Sequence, residues 1–173
     1  LEKRYKSFVR NGALLSDSEK ERLREIDEQL SAFKLKFGEN VLAENNAYQL
    51  VVTDKERLRG LPELALQQAQ NLAQQKRIDG YVFTLDFPSY LPFVSYVEDR
   101  ELRQEIAIAA GKKAFQQNEF NNEKNVQQIV ALRHERARLL GYEWHAAFVL
   151  EERMAQNADQ VKQFLNTIYD KAM

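Results

Sequence analysis

Only two histidines stand in the 173 residues, His134 and His145, and there is no cysteine. His134-Glu135-Arg136-Ala137-Arg138 comes within one residue of the zinc motif H-E-x-x-H. That motif works because two imidazoles four positions apart lie on one helix face and leave the glutamate free as a general base. Here the last position is Arg138, a permanent cation that cannot ligate a metal. Glu135 is therefore expected on a solvated, ion-paired helix surface. His145 lies beyond Gly141, so the two imidazoles are not expected to converge. Glu151 and Glu152 are the carboxylates that could complete a metal site with His145. The simpler expectation is a structural histidine packed beside Trp144.

Other chemistries fare no better. Ser16 has the setting of a helix cap and Ser89 lies between prolines; no serine sits in a G-x-S-x-G context. Neither G-x-x-x-x-G-K-[ST] nor G-x-G-x-x-G occurs, so no phosphate cradle is encoded. Without cysteine there is no thiolate metal site and no disulfide framework. Tyr90, Phe93 and Tyr96 share a helix face at spacing three, which suits core packing first and the wall of a substrate groove second. No residue of this chain is assigned as catalytic, cofactor-binding or metal-ligating.

Composition narrows the classes further. Apolar residues make up 44%, and 25 Lys and Arg face 26 Asp and Glu. A formal charge of -1 gives no basic face for nucleic acid. No run reaches the roughly 18 apolar residues of a membrane span, so neither nucleic acid nor membrane is an expected partner. The chain opens on Leu1 and closes on Lys171-Ala172-Met173, both of which suggest an excised segment of a longer protein.

With only 6 Gly and 3 Pro, long helices are favoured. Ser16 and Glu19 have capping-box spacing. Leu23, Ile26, Leu30, Phe33, Phe37 and Val41 then follow in steps of three and four, predicting one helix with Phe33 largely buried. Tyr48–Thr53 and Tyr81–Leu85 read as strands that pair, with Tyr81, Phe83 and Leu85 on one face and the direction of pairing left open. Between them Pro62 starts a helix carrying Leu64, Ala65, Ala69, Leu72 and Ala73 inward. Phe87–Phe93 starts a short helix with Ser89 as a cap, and Asp99 caps the next, with Leu102, Ile106 and Ala109 inward. Asn121 or Asn122 opens a helix with Val126, Ile129, Val130, Arg133, Ala137 and Leu140 on its stripe, ended by Gly141. A shorter helix spans Trp144 to Met154, and Asn157 caps the last, with Val161, Phe164, Leu165 and Ile168 inward. The fold class is mainly α with a small two-stranded β element.

Three stretches in register carry a resemblance. They are Phe8-Val9-Arg10-Asn11-Gly12-Ala13-Leu14-Leu15, continuing through Leu35–Leu42; Phe83-Thr84-Leu85-Asp86-Phe87-Pro88-Ser89-Tyr90-Leu91-Pro92; and Leu132–Tyr142 with Val149–Ala155. Together they resemble the M3 zinc metallopeptidases, the family of peptidyl-dipeptidases (dipeptidyl carboxypeptidases), oligopeptidase A and thimet oligopeptidase. The bacterial peptidyl-dipeptidase branch looks nearest. The resemblance implies that residues 1–173 are a helical segment of a larger multi-helix metallopeptidase, upstream of its catalytic zinc region. It further implies a parent that binds zinc and cleaves short oligopeptides with release of C-terminal dipeptides. A cytoplasmic parent is expected, with export left open. This segment would then be non-catalytic, hold no zinc itself, and supply scaffold and substrate-channel wall against the remainder of the peptidase chain. The alternative is a helical scaffold or interaction module with no peptidase parent.

Overall fold

The computed structural model describes residues 1–173. In chain order the elements are α1 (Glu2–Arg10), α2 (Asp17–Ala47), β1 (Leu50–Val52), a 3-10 turn (Lys55–Leu58), α3 (Glu63–Lys76), β2 (Tyr81–Phe83), α4 (Phe87–Tyr96), α5 (Arg100–Gly111), α6 (Glu123–Leu139), α7 (His145–Leu150) and α8 (Ala158–Ala172). The chain is mainly α, as its few breakers led one to expect. It divides into two units, Leu1–Lys36 with Lys124–Met173, and Phe37–Glu123.

In the first unit, Ser16 and Glu19 make the capping box their spacing called for. The Ser16 amide donates to the Glu19 carboxylate at 2.8 Å, and the Glu19 amide donates back to the Ser16 hydroxyl at 3.4 Å. From this start α2 presents Leu23, Ile26 and Leu30, all buried. Ile26 and Leu30 pack against Ile129 and Leu132 of α6, with Phe33 and Leu139 at the margin. Fully burying one such side chain contributes about 1.5–3 kcal/mol, so this seam joins α2 to α6. Phe33 is only half-buried and Phe37 is exposed, because the seam covers the first half of the stripe and not the second. On α6 the buried face is Ile129, Leu132 and Ala137; Val126 and Val130 point to solvent, contrary to the stripe read from sequence. Gly141, at φ +85°, ends the helix, with the Tyr142 amide donating to the Ala137 carbonyl at 2.9 Å. The helix α1 had no counterpart in the sequence reading. The short helix α7 is narrower than expected, and α8, capped by Asn157 as expected, leaves its apolar stripe exposed rather than inward.

In the second unit, β1 and β2 pair antiparallel with Leu50 opposite Phe83, Val51 opposite Val82 and Val52 opposite Tyr81. Both strands are shorter than their β-rich runs. Leu50, Val52, Phe83 and Leu85 enter a core with Leu66, Phe93, Val97, Leu102 and Ile106. Phe83 and Phe93 meet edge to face, centroids 4.5 Å apart. Leu66, not Leu64, is the buried leucine of α3, since Leu64 lies on the outer side of its first turn. Asp99 caps α5, accepting from the amides of Glu101 and Leu102 at 3.0 and 3.1 Å. Ser89 does not cap α4: its hydroxyl accepts from the Thr84 amide at 3.0 Å, and Asp86 takes the N-cap position.

Two glycines of this unit are held by close backbone approach. A Cβ on Gly60, at φ +87°, would stand 2.1 Å from the Tyr96 carbonyl oxygen, and one on Gly80, at φ +101°, 2.5 Å from that of Val52. Gly60→Ala is expected to destabilise the protein by at least about 2 kcal/mol. Gly38→Ala, at a site inside α2 with nothing within 4 Å, is expected to stabilise it by about 0.5–1 kcal/mol. Urea unfolding of both variants checks the pair; a neutral Gly60→Ala would refute the close approach.

Candidate functional site

On α6, Glu135 is not free to act as a base. Arg22 of α2 donates to it twice, from Nε at 2.7 Å and Nη2 at 3.0 Å. That pair holds the Glu135 carboxyl below its usual range, the hydrogen bond from Arg22 being the main cause. Arg136 donates from Nε to Asp27 at 2.7 Å, so a second ion pair runs along the same seam. His134 is exposed.

His145 begins α7 and stacks on Phe148, centroids 6.3 Å apart. Trp144 is largely exposed, so Phe148 is the aromatic neighbour that matters. Burial first, and then Arg133, Arg136 and Lys34, hold the His145 imidazole below its ordinary value, keeping it neutral at pH 7. Glu151 and Glu152 turn away to cations of α1: Lys6 reaches Glu152 at 2.7 Å and Glu151 at 3.4 Å.

The most constrained polar group of this unit is Arg10, which the sequence reading did not single out. Its side chain is only 13% exposed. The guanidinium donates to the Tyr142 hydroxyl at 3.1 Å, to the Phe148 carbonyl at 2.8 Å and to the Glu151 carboxylate. Tyr142 in turn donates to Glu151 at 2.6 Å. The guanidinium also lies over the Phe148 ring, 4.2 Å from its centre. Burial, then the bond to Glu151, pushes the Tyr142 phenol up, so it stays protonated as a donor. The signal available in sequence was placement: Arg10, Tyr142 and Glu151 all fall within the stretches that carry the family resemblance. Through these bonds the cluster fastens α1 to the segment around α7.

Within the second unit the aromatic triplet separates. Phe93 is buried, Tyr90 half-buried and Tyr96 exposed, so core packing claims the first. A cleft of about 280 Å³ lies beside α4, lined by Leu72, Thr84, Asp86, Pro88 and Ser89. In the first unit a groove of about 780 Å³ runs between Phe8, Gly12, Leu23 and Asp27.

Residues 93–173 match the sequence profile of Peptidase family M3. Oligopeptidase A of Escherichia coli is 37% identical over 96% of this chain and 25% of its own length, and that of Haemophilus influenzae 36% identical over 99% and 26%. Dipeptidyl carboxypeptidase of Escherichia coli is 26% identical over 97% of this chain and 25% of its own. The chain belongs to peptidase family M3. It spans about a quarter of the length of the relatives it matches. The identities to oligopeptidase A exceed that to dipeptidyl carboxypeptidase, whereas the sequence motifs had suggested the peptidyl-dipeptidase branch as the nearer. The residues of this M3 segment do not fit a zinc ion. No three His, Asp or Glu side chains gather as a metal-holding group, and the nearest sequence match has its glutamate bound by arginine. No helix is long and apolar enough to cross a membrane.

The Arg10 cluster makes an acid-sensitive fastening. Glu151 is held below the ordinary glutamate value of 4.5, chiefly by the hydrogen bond from Tyr142 and then by Arg10 and Lys6. A carboxylate with a lowered folded pKa contributes stability above its unfolded pKa and loses it as pH falls through the folded one. The fastening is therefore expected to release below pH 4.5. Fluorescence of Trp144, the one tryptophan, should report it, and the acid step should vanish in Glu151→Gln. Arg10→Ala should cost about 1.5–3 kcal/mol at neutral pH by leaving Glu151 and the Phe148 carbonyl short of a donor.

Proposed function

We propose that residues 1–173 are the non-catalytic helical part of a zinc-dependent M3 peptidase that cleaves short oligopeptides, lying upstream of its catalytic zinc region. The observation that carries this is identity to oligopeptidase A along almost the entire chain, α1 through α8. Zinc, held by residues outside this chain, would supply a polarised water in the parent. The part assigned to this chain is steric and structural. Its packed helices and the Pro88–Pro92 corner hold one side of a channel that admits extended peptides, and its remaining apolar surface meets the rest of the peptidase chain. A second reading, release of C-terminal dipeptides, is favoured by the match to dipeptidyl carboxypeptidase. Product analysis on a blocked and a free C-terminus separates the two. We propose a cytoplasmic parent, a reading supported by the similarity to a probable cytosolic oligopeptidase A of Arabidopsis thaliana, and cell fractionation tests that.

The parent is expected to cleave a quenched short peptide and to lose that activity to a zinc chelator. The 173-residue chain alone is expected to show neither cleavage nor a stoichiometric tight zinc. Activity that survives complete zinc removal would defeat the metallopeptidase reading, and a parent without any peptidase activity would favour the interaction module. Within the parent, Glu135→Gln should leave kcat within about twofold, because Glu135 serves Arg22. A general base would lose about 10²–10⁴-fold on the same change. A loss of that size, at full zinc occupancy, would place Glu135 in the reaction.

A further inference from the structure

Helix α8 carries an apolar stripe at helical spacing, Val161, Phe164, Leu165, Ile168 and Tyr169. The last four are between 50% and 65% exposed. The opposite side is uniformly polar, with Gln163, Asn166 and Asp170. A helix of this kind gets most of its stability from burying its apolar face, and four large side chains left in water at one place are a contact surface in search of a partner.

Its charge selects among partners. Lys162 and Lys171 are balanced by Asp159 and Asp170, so the polar face lacks the excess of cations that draws an amphipathic helix to an anionic membrane. The family supplies the remaining argument. M3 relatives align with this chain to the level of 96–99% of its length, yet it spans only 25–26% of theirs. About three quarters of such a polypeptide therefore lies outside these residues, and the family match itself runs through α8 to residue 173. We propose that the Phe164–Leu165–Ile168–Tyr169 face of α8 is a docking surface for apolar side chains of the same M3 polypeptide outside residues 1–173. This rests on the proposal that the chain is part of a longer peptidase, and it names the surface through which that joining is made.

A photo-crosslinker tests it. The benzophenone amino acid is placed at Ile168 or, separately, at Phe164 in the full-length parent, with Gln163 as the control on the polar face. After irradiation at low protein concentration, cross-linked peptides are identified by mass spectrometry. The expected result is an intramolecular link from positions 168 and 164 to a peptide outside residues 1–173, and none from position 163. A link to a second copy, a link confined to residues 1–173, or no link at all would each overturn the inference. Peptidase activity is assayed on the same preparations. An inactive parent that still gives the expected link would sink the proposed function and leave the docking surface standing.

Discussion

The seam formed by Ile26 and Leu30 of α2 against Ile129 and Leu132 of α6 is the constraint on which the first unit depends. These residues lie about a hundred positions apart in sequence, and their contact brings the two ends of the chain into one unit. Because a helix has one face per seam, burying these four side chains also fixes which residues flank it. Arg22 meets Glu135 and Asp27 meets Arg136 for that reason. Exposed ion pairs contribute little by themselves, about 0–1 kcal/mol, so they follow the apolar register rather than set it. Once α6 is placed, its stop at Gly141 aims Tyr142 and α7 toward α1, and Arg10 closes the arrangement.

In the second half of α2 the buried positions are polar. Asn40 and Glu44 are buried there, along with Asn122. The Asn40 side chain donates to the side-chain oxygen Oδ1 of Asn122 at 3.0 Å, and Asn122 Nδ2 donates to the Phe37 backbone carbonyl at 3.0 Å. Glu44 accepts from the Ala114 amide, from Gln116 at 2.6 Å and from Asn118 at 2.9 Å. A buried carboxylate without donors would be costly, and this one collects three. The segment following α5, with Ala114 at φ +56°, thereby gains a fixed course without an apolar core of its own. That explains why the hydrophobic stripe on α2 fades after Phe33: beyond it the helix face is specified by hydrogen bonds.

This change of currency also marks what could be read from the sequence. Element types were legible wherever a local signal acted, as with the Ser16–Glu19 box, the Asp99 and Asn157 caps, Gly141, and the β-rich runs. Burial was legible only where a stripe had a partner inside the chain. Periodicity reports that a face is apolar and is silent on what covers it, so Leu30 and Phe164 looked alike although one is buried and the other is not. Leu64 and Leu66 adjoin the same turn, and only the packing of α3 on β2 decides that Leu66 is the one buried. The Glu44 and Arg10 clusters were invisible because each joins residues more than sixty positions apart, and no local pattern announces such a meeting. The antiparallel direction of the sheet was likewise a tertiary result.

The same accounting bears on chemistry. A catalytic carboxylate needs spare bonding capacity and access to a substrate, whereas the prominent carboxylates here already have partners. Glu135 belongs to Arg22, Glu151 to Arg10, Tyr142 and Lys6, Glu152 to Lys6, Asp99 to Arg57 and its helix cap, and Glu44 to its loop. Apart from the buried Tyr48 hydroxyl, which has no hydrogen-bond partner, what stays unsatisfied within these residues is apolar, concentrated on α8 and on exposed side chains such as Phe87 and Leu91 of α4. Saturated polar groups with unsatisfied apolar faces are the pattern of a piece whose work is to fit against other structure. That pattern supports the scaffold role proposed for this segment.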